Sequence, residues 1–264
     1  MSKGFLWFAQ NNDQTDYVRL SIALAKSIKR YNRENKICVI TDEKSKFDSE
    51  FVDVVKVLDK DDSADHEIKW ANEYKAFRMS PFTHTIKLEA DMLWRVNTDW
   101  WWHHLWQHDL VFSVDCLNYR NKVVKNTLYR KLFVKNLLPN IYNGLMYFRR
   151  SQKAKQFYDI AEVIFNNWDK VRSQLLVACH DKYPSTDLVF ALAYRIMDPT
   201  HKGLIDFEWF KFIHNKSDVH KTKVVNHNDY LLPNRAGEKK LYIGETLVNK
   251  VLHYHDKELD VIDI

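Results

Sequence analysis

The sequence predicts an α/β protein built on a central, mainly parallel mixed sheet flanked by helices. Three observations predict it. Short apolar, β-branched runs recur at Phe5–Ala9, Ile37–Thr41, Val52–Leu58 and Ile86–Glu89. The first two are separated by a stretch with helical rather than two-residue periodicity. Strand, helix and strand at this spacing argue for βαβ units, whose ligands sit at the carboxyl ends of the strands. The 264 residues are 45% hydrophobic and 14% aromatic, enough for a large core and incompatible with a disordered chain.

Each element has its own signal. Phe5 to Ala9 reads as a buried strand, and Asn11, Asn12 and Asp13 as the polar loop after it. Thr15 is placed to cap a helix that carries Tyr17, Leu20, Leu24, Ile28 and Tyr31 on one apolar stripe. Ile37 to Thr41 is the second strand, ending at Asp42, and Val52 to Leu58 a third apolar run. Asn72 to Met79 can form a short helix before Pro81, and Ile86 to Glu89 a fourth strand. Trp100 to His108 has the pattern of a short amphipathic helix, and Leu110 to Val114 that of a strand. Ile141 to Phe148 is a further apolar run, in which Gly144 permits a bulge or the close approach of a ligand. Ser151 can cap a helix bearing Phe157, Ile160, Ala161, Ile164 and Trp168. Ser185 or Thr186 can cap another bearing Phe190, Ala191, Tyr194 and Met197. No linker or repeat interrupts the chain, so residues 1–264 are expected to form one domain.

Some functions are excluded early. No apolar run approaches the roughly 20 residues that cross a bilayer. Gly4 to Ala9 is too short and poorly flanked for a signal peptide. Cys38, Cys116 and Cys179 match neither a disulfide framework nor a zinc knuckle, which suits a reducing cytoplasm. The net charge of +5 is uneven: residues 42–73 hold eleven acids against five bases, whereas residues 117–158 hold ten bases and no acid. Such a basic interval either attracts a polyanion or forms a solvated face balanced by the acidic region. Tyr119, Tyr129 and Phe133 interleave it and suit either base stacking or, for Phe133 above all, a helix core.

Glu89 and Asp91 are the most chemically loaded pair. Two carboxylates where a buried strand gives way to a loop can address one Mg²⁺ or Mn²⁺, hard ions that take oxygen ligands. The same residues can instead cap the loop or meet a lysine. With them, the strand ends supply Gln10, Asn11 and Asp42 as candidate ligand contacts.

The order of these pieces resembles the nucleotide-diphospho-sugar transferases of GT-A fold, in the layout of the group containing glycogenin and bacterial galactosyltransferases. Tyr17 to Thr41 resembles the helix that covers the nucleotide and the strand after it. Glu89-Ala90-Asp91 resembles the Asp-x-Asp motif with Glu in first place, and Tyr142-Asn143-Gly144-Leu145-Met146 the segment beside the sugar. Ser185-Thr186-Asp187 resembles the Asp-Gln-Asp helix start, keeping the last carboxylate. His253-Tyr254-His255-Asp256-Lys257 resembles the C-terminal histidine segment, without the usual spacing of the Gly and Lys that follow. The resemblance implies a nucleoside diphosphate sugar donor, uridine-linked in most such enzymes, a divalent cation, and transfer with retention of configuration. On that basis Asp91 is the firmest metal ligand, joined by Glu89 and by His253 or His255. Tyr17, Gln10, Asn11, Asp42, Lys75 and Gly144 face the donor, and Lys75 is otherwise an exposed helix lysine. Asn143 and Asp187 hold the reacting sugar; otherwise Asn143 closes a turn and Asp187 complements a helix N-terminus.

The acceptor is read from charge and composition. The Asn-, Lys- and aromatic-rich texture resembles proteins of large tailed phages, some of which glycosylate 5-hydroxymethylcytosine in their own DNA. Double-stranded DNA in a host cytoplasm is therefore the expected acceptor, with Lys122, Lys125, Arg130 and Lys131 on its phosphates and Tyr119 or Trp94 replacing lost stacking. The alternatives are a bacterial surface glycan or protein acceptor, another nucleotide-sugar reaction such as hydrolysis, and a non-catalytic nucleic-acid-binding protein.

Overall fold

The computed structural model describes residues 2–63, 68–124, 130–214, 241–243 and 246–254. In chain order β1 (Lys3–Phe8), α1 (Tyr17–Tyr31), β2 (Lys36–Thr41) and β3 (Val54–Val57) come first. A 3-10 helix at Lys69–Lys75 runs into α2 (Ala76–Met79), then β4 (His84–Leu88), β5 (Met92–Leu93), α3 (Trp101–Leu105) and β6 (Leu110–Val114). There follow α4 (Lys131–Lys135), β7 (Ile141–Arg149), α5 (Gln152–Asn166), α6 (Trp168–Leu175) and α7 (Thr186–Met197). Four two-residue strands complete the set: β8 (Ile213–His214), β9 (Tyr242–Ile243), β10 (Thr246–Leu247) and β11 (Leu252–His253).

The central sheet has the order β3-β2-β1-β4-β7-β6. The pairs from β3 to β4 are parallel, and β7 runs antiparallel to both β4 and β6. Alternation along β1 explains why every residue after Lys3 is buried. Leu6 and Phe8 face a layer that includes Phe157 and Ala161 of α5 and Leu188 to Ala193 of α7. Phe5 and Trp7 face the opposite layer, with Leu24, Ala25 and Ile28 of α1 and the indoles of Trp94, Trp101 and Trp102. A strand covered on both faces reads as a continuous apolar run, as this one does.

Local chemistry sets the helix starts. Ser151 and Ser185 cap α5 and α7, each hydroxyl accepting a main-chain N–H three residues on. At α1 the capping residue is Asp16 rather than Thr15: its carboxylate accepts the Arg19 N–H at 3.0 Å. The helix expected over Asn72 to Met79 begins as the tighter 3-10 form and starts at Lys69. Trp168 begins a separate helix, with Asn167 between α5 and α6. All three cysteines are free thiols, and burial pushes that of Cys38 up to about 12. Among the described residues no helix is long and apolar enough to cross a membrane.

Candidate metal and donor site

A cavity of about 480 Å³ opens at the carboxyl end of the sheet, lined by residues from eight stretches of the chain. This is within the range of sites that take small molecules. One wall is built by strand pairing. β4 ends at Leu88, and Glu89 to Asp91 turn the chain into β5. β5 pairs antiparallel with β11, His253 opposite Met92. The Tyr254 N–H extends the ladder to the Asp91 carbonyl at 3.2 Å. His253 is thereby set against both acids: Nε2 is 3.2 Å from Asp91 Oδ2, and Nδ1 is 3.4 Å from Glu89 Oε2. One ligand atom from each of the three lies within 4.8 Å of the others. Two carboxylates and an imidazole fit Mn²⁺ or Mg²⁺ by donor chemistry, with room left for oxygens of a ligand.

The opposite wall starts from an irregular strand. Phe112 pairs with Met146, but Ser113 pairs with Tyr142, so Asn143 to Leu145 bulge out of the β6–β7 ladder. The bulge turns the Asn143 N–H toward Asp187 Oδ1, which accepts it at 2.7 Å. The Asn143 side chain accepts from Lys87 Nζ at 2.7 Å and donates to Glu73 Oε2 at 2.5 Å and to Glu89 Oε1 at 3.2 Å. Lys87 is fully buried and forms an ion pair with Glu73. Glu89 is thus fixed on one oxygen while the other faces His253. Gly144 leaves space for this: a Cβ there would sit 3.1 Å from Glu89 Oε2 and 3.3 Å from the Phe212 ring.

Asp187 stands in the first turn of α7, where free amides favour a carboxylate. It also pairs with Arg130 at 2.5 Å. Arg130 is 4% exposed, lies between the rings of Phe133 and Tyr142 at 4.0 and 3.8 Å, and donates to Asn140 and the Ile141 carbonyl. The guanidinium is built into the cavity wall, not presented to an outside phosphate backbone.

The other sequence-derived residues are dispersed. Gln10 and Tyr17 line the cavity. Burial, then the charge of Glu89, raises the Tyr17 hydroxyl above the usual tyrosine range. Asp42 is buried behind Gln10, whose amide donates to it at 3.1 Å. Asn11 braces its loop, accepting the Val18 N–H at 3.0 Å. Lys75 is 1% exposed and turned away from the cavity, its ammonium held by Asp62, Asn72 and the Lys60 carbonyl. It is neither exposed nor a lining residue. Lys122 and Lys131 are exposed, as are Arg120 and Lys135. Lys125 and His255 lie outside the described residues. Trp94 cannot replace a flipped base, because it is fully buried against Phe5 and Trp101.

Glu73, Trp70, Phe212 and His214 also line the cavity and were not anticipated. A lone Glu or Trp in a short 3-10 helix carries no sequence signal. His214 sits in a two-residue strand, too short for any period to show.

Neither a protein-family model nor a curated sequence matches this chain. Solved structures do. A crystal structure of the galactosyltransferase LgtC, in complex with donor and acceptor sugar analogs, is similar with a TM-score of 0.54 and 12% identity. The match covers 96% of this chain and 87% of that one. This chain has the GT-A fold. An active-site mutant of LgtC matches with a TM-score of 0.51 and 11% identity over the same shares. At such identity the likeness speaks for the fold, and the function rests on the site.

Proposed function

We propose that the protein is a metal-dependent glycosyltransferase that moves a sugar from a nucleoside diphosphate, uridine diphosphate by preference, to an acceptor hydroxyl with retention of configuration. The observation that carries this is the meeting of Glu89, Asp91 and His253 on one wall of a cavity whose other wall holds Gly144 and Asp187. Asn143, expected at the sugar, is buried behind that wall and braces Glu89 and Asp187 instead. When bound, the divalent ion neutralises charge that develops on the departing diphosphate. Glu89, Asp91 and His253 hold it; Gln10 and Tyr17 border the nucleotide end. Asp187, fixed by Arg130 and the Asn143 amide, accepts hydrogen bonds from sugar hydroxyls and keeps the sugar oriented. The experiment is calorimetry with uridine diphosphate, with and without Mn²⁺. Binding enhanced by Mn²⁺ supports the reading, and equal binding without the metal removes its basis.

Asp187 makes a separable contribution. Its role at the reacting sugar predicts that D187A lowers kcat more than donor affinity. Circular dichroism of D187A checks that the loss of the Arg130 pair has not unfolded the protein. Normal turnover in a folded D187A protein would remove Asp187 from the assignment.

For the acceptor we infer double-stranded DNA carrying 5-hydroxymethylcytosine. Support comes from the acid-free interval at 117–158 and from its exposed cations, Arg120, Lys122, Lys131 and Lys135. Tyr119 lies beside them, its ring under the Arg120 guanidinium at 4.4 Å, and a base would stack there by displacing that guanidinium. Mass spectrometry of modified DNA, unmodified DNA and oligosaccharides, each offered with several nucleotide sugars, is the test. The expected result is a mass gain on hydroxymethylcytosine alone, whose size also separates hexose from pentose. Transfer confined to oligosaccharide would overturn the DNA assignment and leave the transferase reading standing.

A further inference from the structure

We propose that His214 is a positioning residue of this site: it accepts the Nδ1–H of His253, so that His253 turns Nε2 to the cation and Glu89 stays free to bind it. The proposal rests on the reading that Glu89, Asp91 and His253 hold a divalent ion. Strand β8 runs parallel to β11 with His214 beside His253. Their rings are 4.9 Å apart at 41°, and the two Nδ1 atoms are separated by 3.1 Å. At that distance one nitrogen carries hydrogen and the other offers a lone pair.

The neighbouring acids decide which does which. His253 Nε2 faces Asp91 at 3.2 Å, so an ion held by Asp91 takes the Nε2 lone pair and leaves the proton on Nδ1. Among the described residues, His214 Nδ1 at 3.1 Å and Glu89 Oε2 at 3.4 Å are placed to accept that Nδ1–H. Donation to Glu89 would tie up the oxygen that faces the ion. Donation to His214 leaves that oxygen available, and His214 is the nearer. The acceptor is also held in place. The His214 main-chain N–H donates to the Leu117 carbonyl at 2.9 Å, and the ring packs against Tyr142 and Phe212, each at 5.8 Å between centroids. It is 9% exposed, so water competes poorly for its lone pair. Histidine ligands commonly donate their second ring N–H to a fixed acceptor; here that acceptor is a second imidazole.

The test is Mn²⁺ affinity, measured by calorimetry on the 264-residue protein. H214Q and H214F, which lack an acceptor at the Nδ1 position, are expected to bind Mn²⁺ about 10- to 100-fold more weakly, the loss that follows removal of an outer partner of a metal site. H214N, whose amide oxygen can stand where Nδ1 stands, is expected to remain close to the wild type. Should H214F fail to fold, the H214N and H214Q pair decides. Equal affinity in those two overturns the proposal, because packing alone then accounts for His214. Electron spin-echo spectra of the Mn²⁺ complex should show one directly bound imidazole, and two would make His214 a ligand instead. A wild-type protein that takes up no Mn²⁺ overturns the metal reading itself, an outcome distinct from a wild type that binds and an H214Q variant that binds equally well.

Discussion

D91A is expected to lose the Mn²⁺-dependent part of uridine diphosphate binding and, with it, turnover. Asp91 is the acid held most firmly: it is 8% exposed, its carbonyl is locked to the Tyr254 N–H, and its carboxylate faces His253 Nε2. On the proposed reading, removing it would take away one of two negative charges that offset the charge of the ion, as well as a direct ligand. The loss in metal affinity should exceed the roughly 10- to 100-fold that removing an outer partner costs. E89A should lose less, because Glu89 already shares one oxygen with Asn143. Nucleotide titrations of both variants with and without Mn²⁺ check the order. If D91A keeps the full Mn²⁺ enhancement, the ion sits elsewhere and the acid pair reverts to a loop-capping role.

K87M is expected to give the largest loss of stability among substitutions at the site. Lys87 has no exposed side-chain surface, and its partner Glu73 has 9%. Methionine fills much the same space but leaves the Glu73 carboxylate in the interior without its cation, with the Asn143 side-chain amide still donating to it. Breaking a buried ion pair from one side costs about 3–5 kcal/mol. That is a large share of the roughly 5–15 kcal/mol by which domains are stable. The double variant K87M/E73L removes both charges and should recover much of the loss, since a buried pair replaced by apolar groups is often near neutral. Urea denaturation at constant slope gives the comparison. A K87M protein within about 1 kcal/mol of the wild type would mean that Glu73 finds water or another cation, against the cost expected for an unpaired interior charge.

These two residues also show where sequence reading succeeds and stops. The acid pair was legible because its chemistry is local: an apolar strand ends, and two carboxylates follow two residues apart. The main sheet strands and the serine caps were legible for the same reason, since periodicity and capping act over a few residues. Lys87 was not, although it lies two residues from Glu89. A lysine in a strand ordinarily signals an exposed face; this one is buried because Glu73 and Asn143 approach it from other elements. The basic interval shows the opposite error. Arg130 shares its sequence neighbourhood with Lys131, yet Lys131 is exposed and Arg130 is enclosed by two aromatic rings and an acid. Sign of charge is written in the sequence, whereas the direction a side chain takes is decided by packing.

The pairing of β5 with β11 carries a consequence for how the protein comes into being. Asp91 belongs to the first half of the chain, and His253 to the last described strand. A chain emerging from the ribosome can complete the parallel strands and the acid pair long before it can complete the donor set. Until the C-terminal segment returns, the nascent protein holds two carboxylates without their imidazole, and a cation has a weaker hold on them. Contacts between such distant residues form late, after loop-closure entropy has been met by other packing. On the proposed reading, metal binding would therefore require the C-terminal segment as well as the acid pair, and a cation taken up by all three residues would draw the folding equilibrium toward the state in which β5 and β11 are paired.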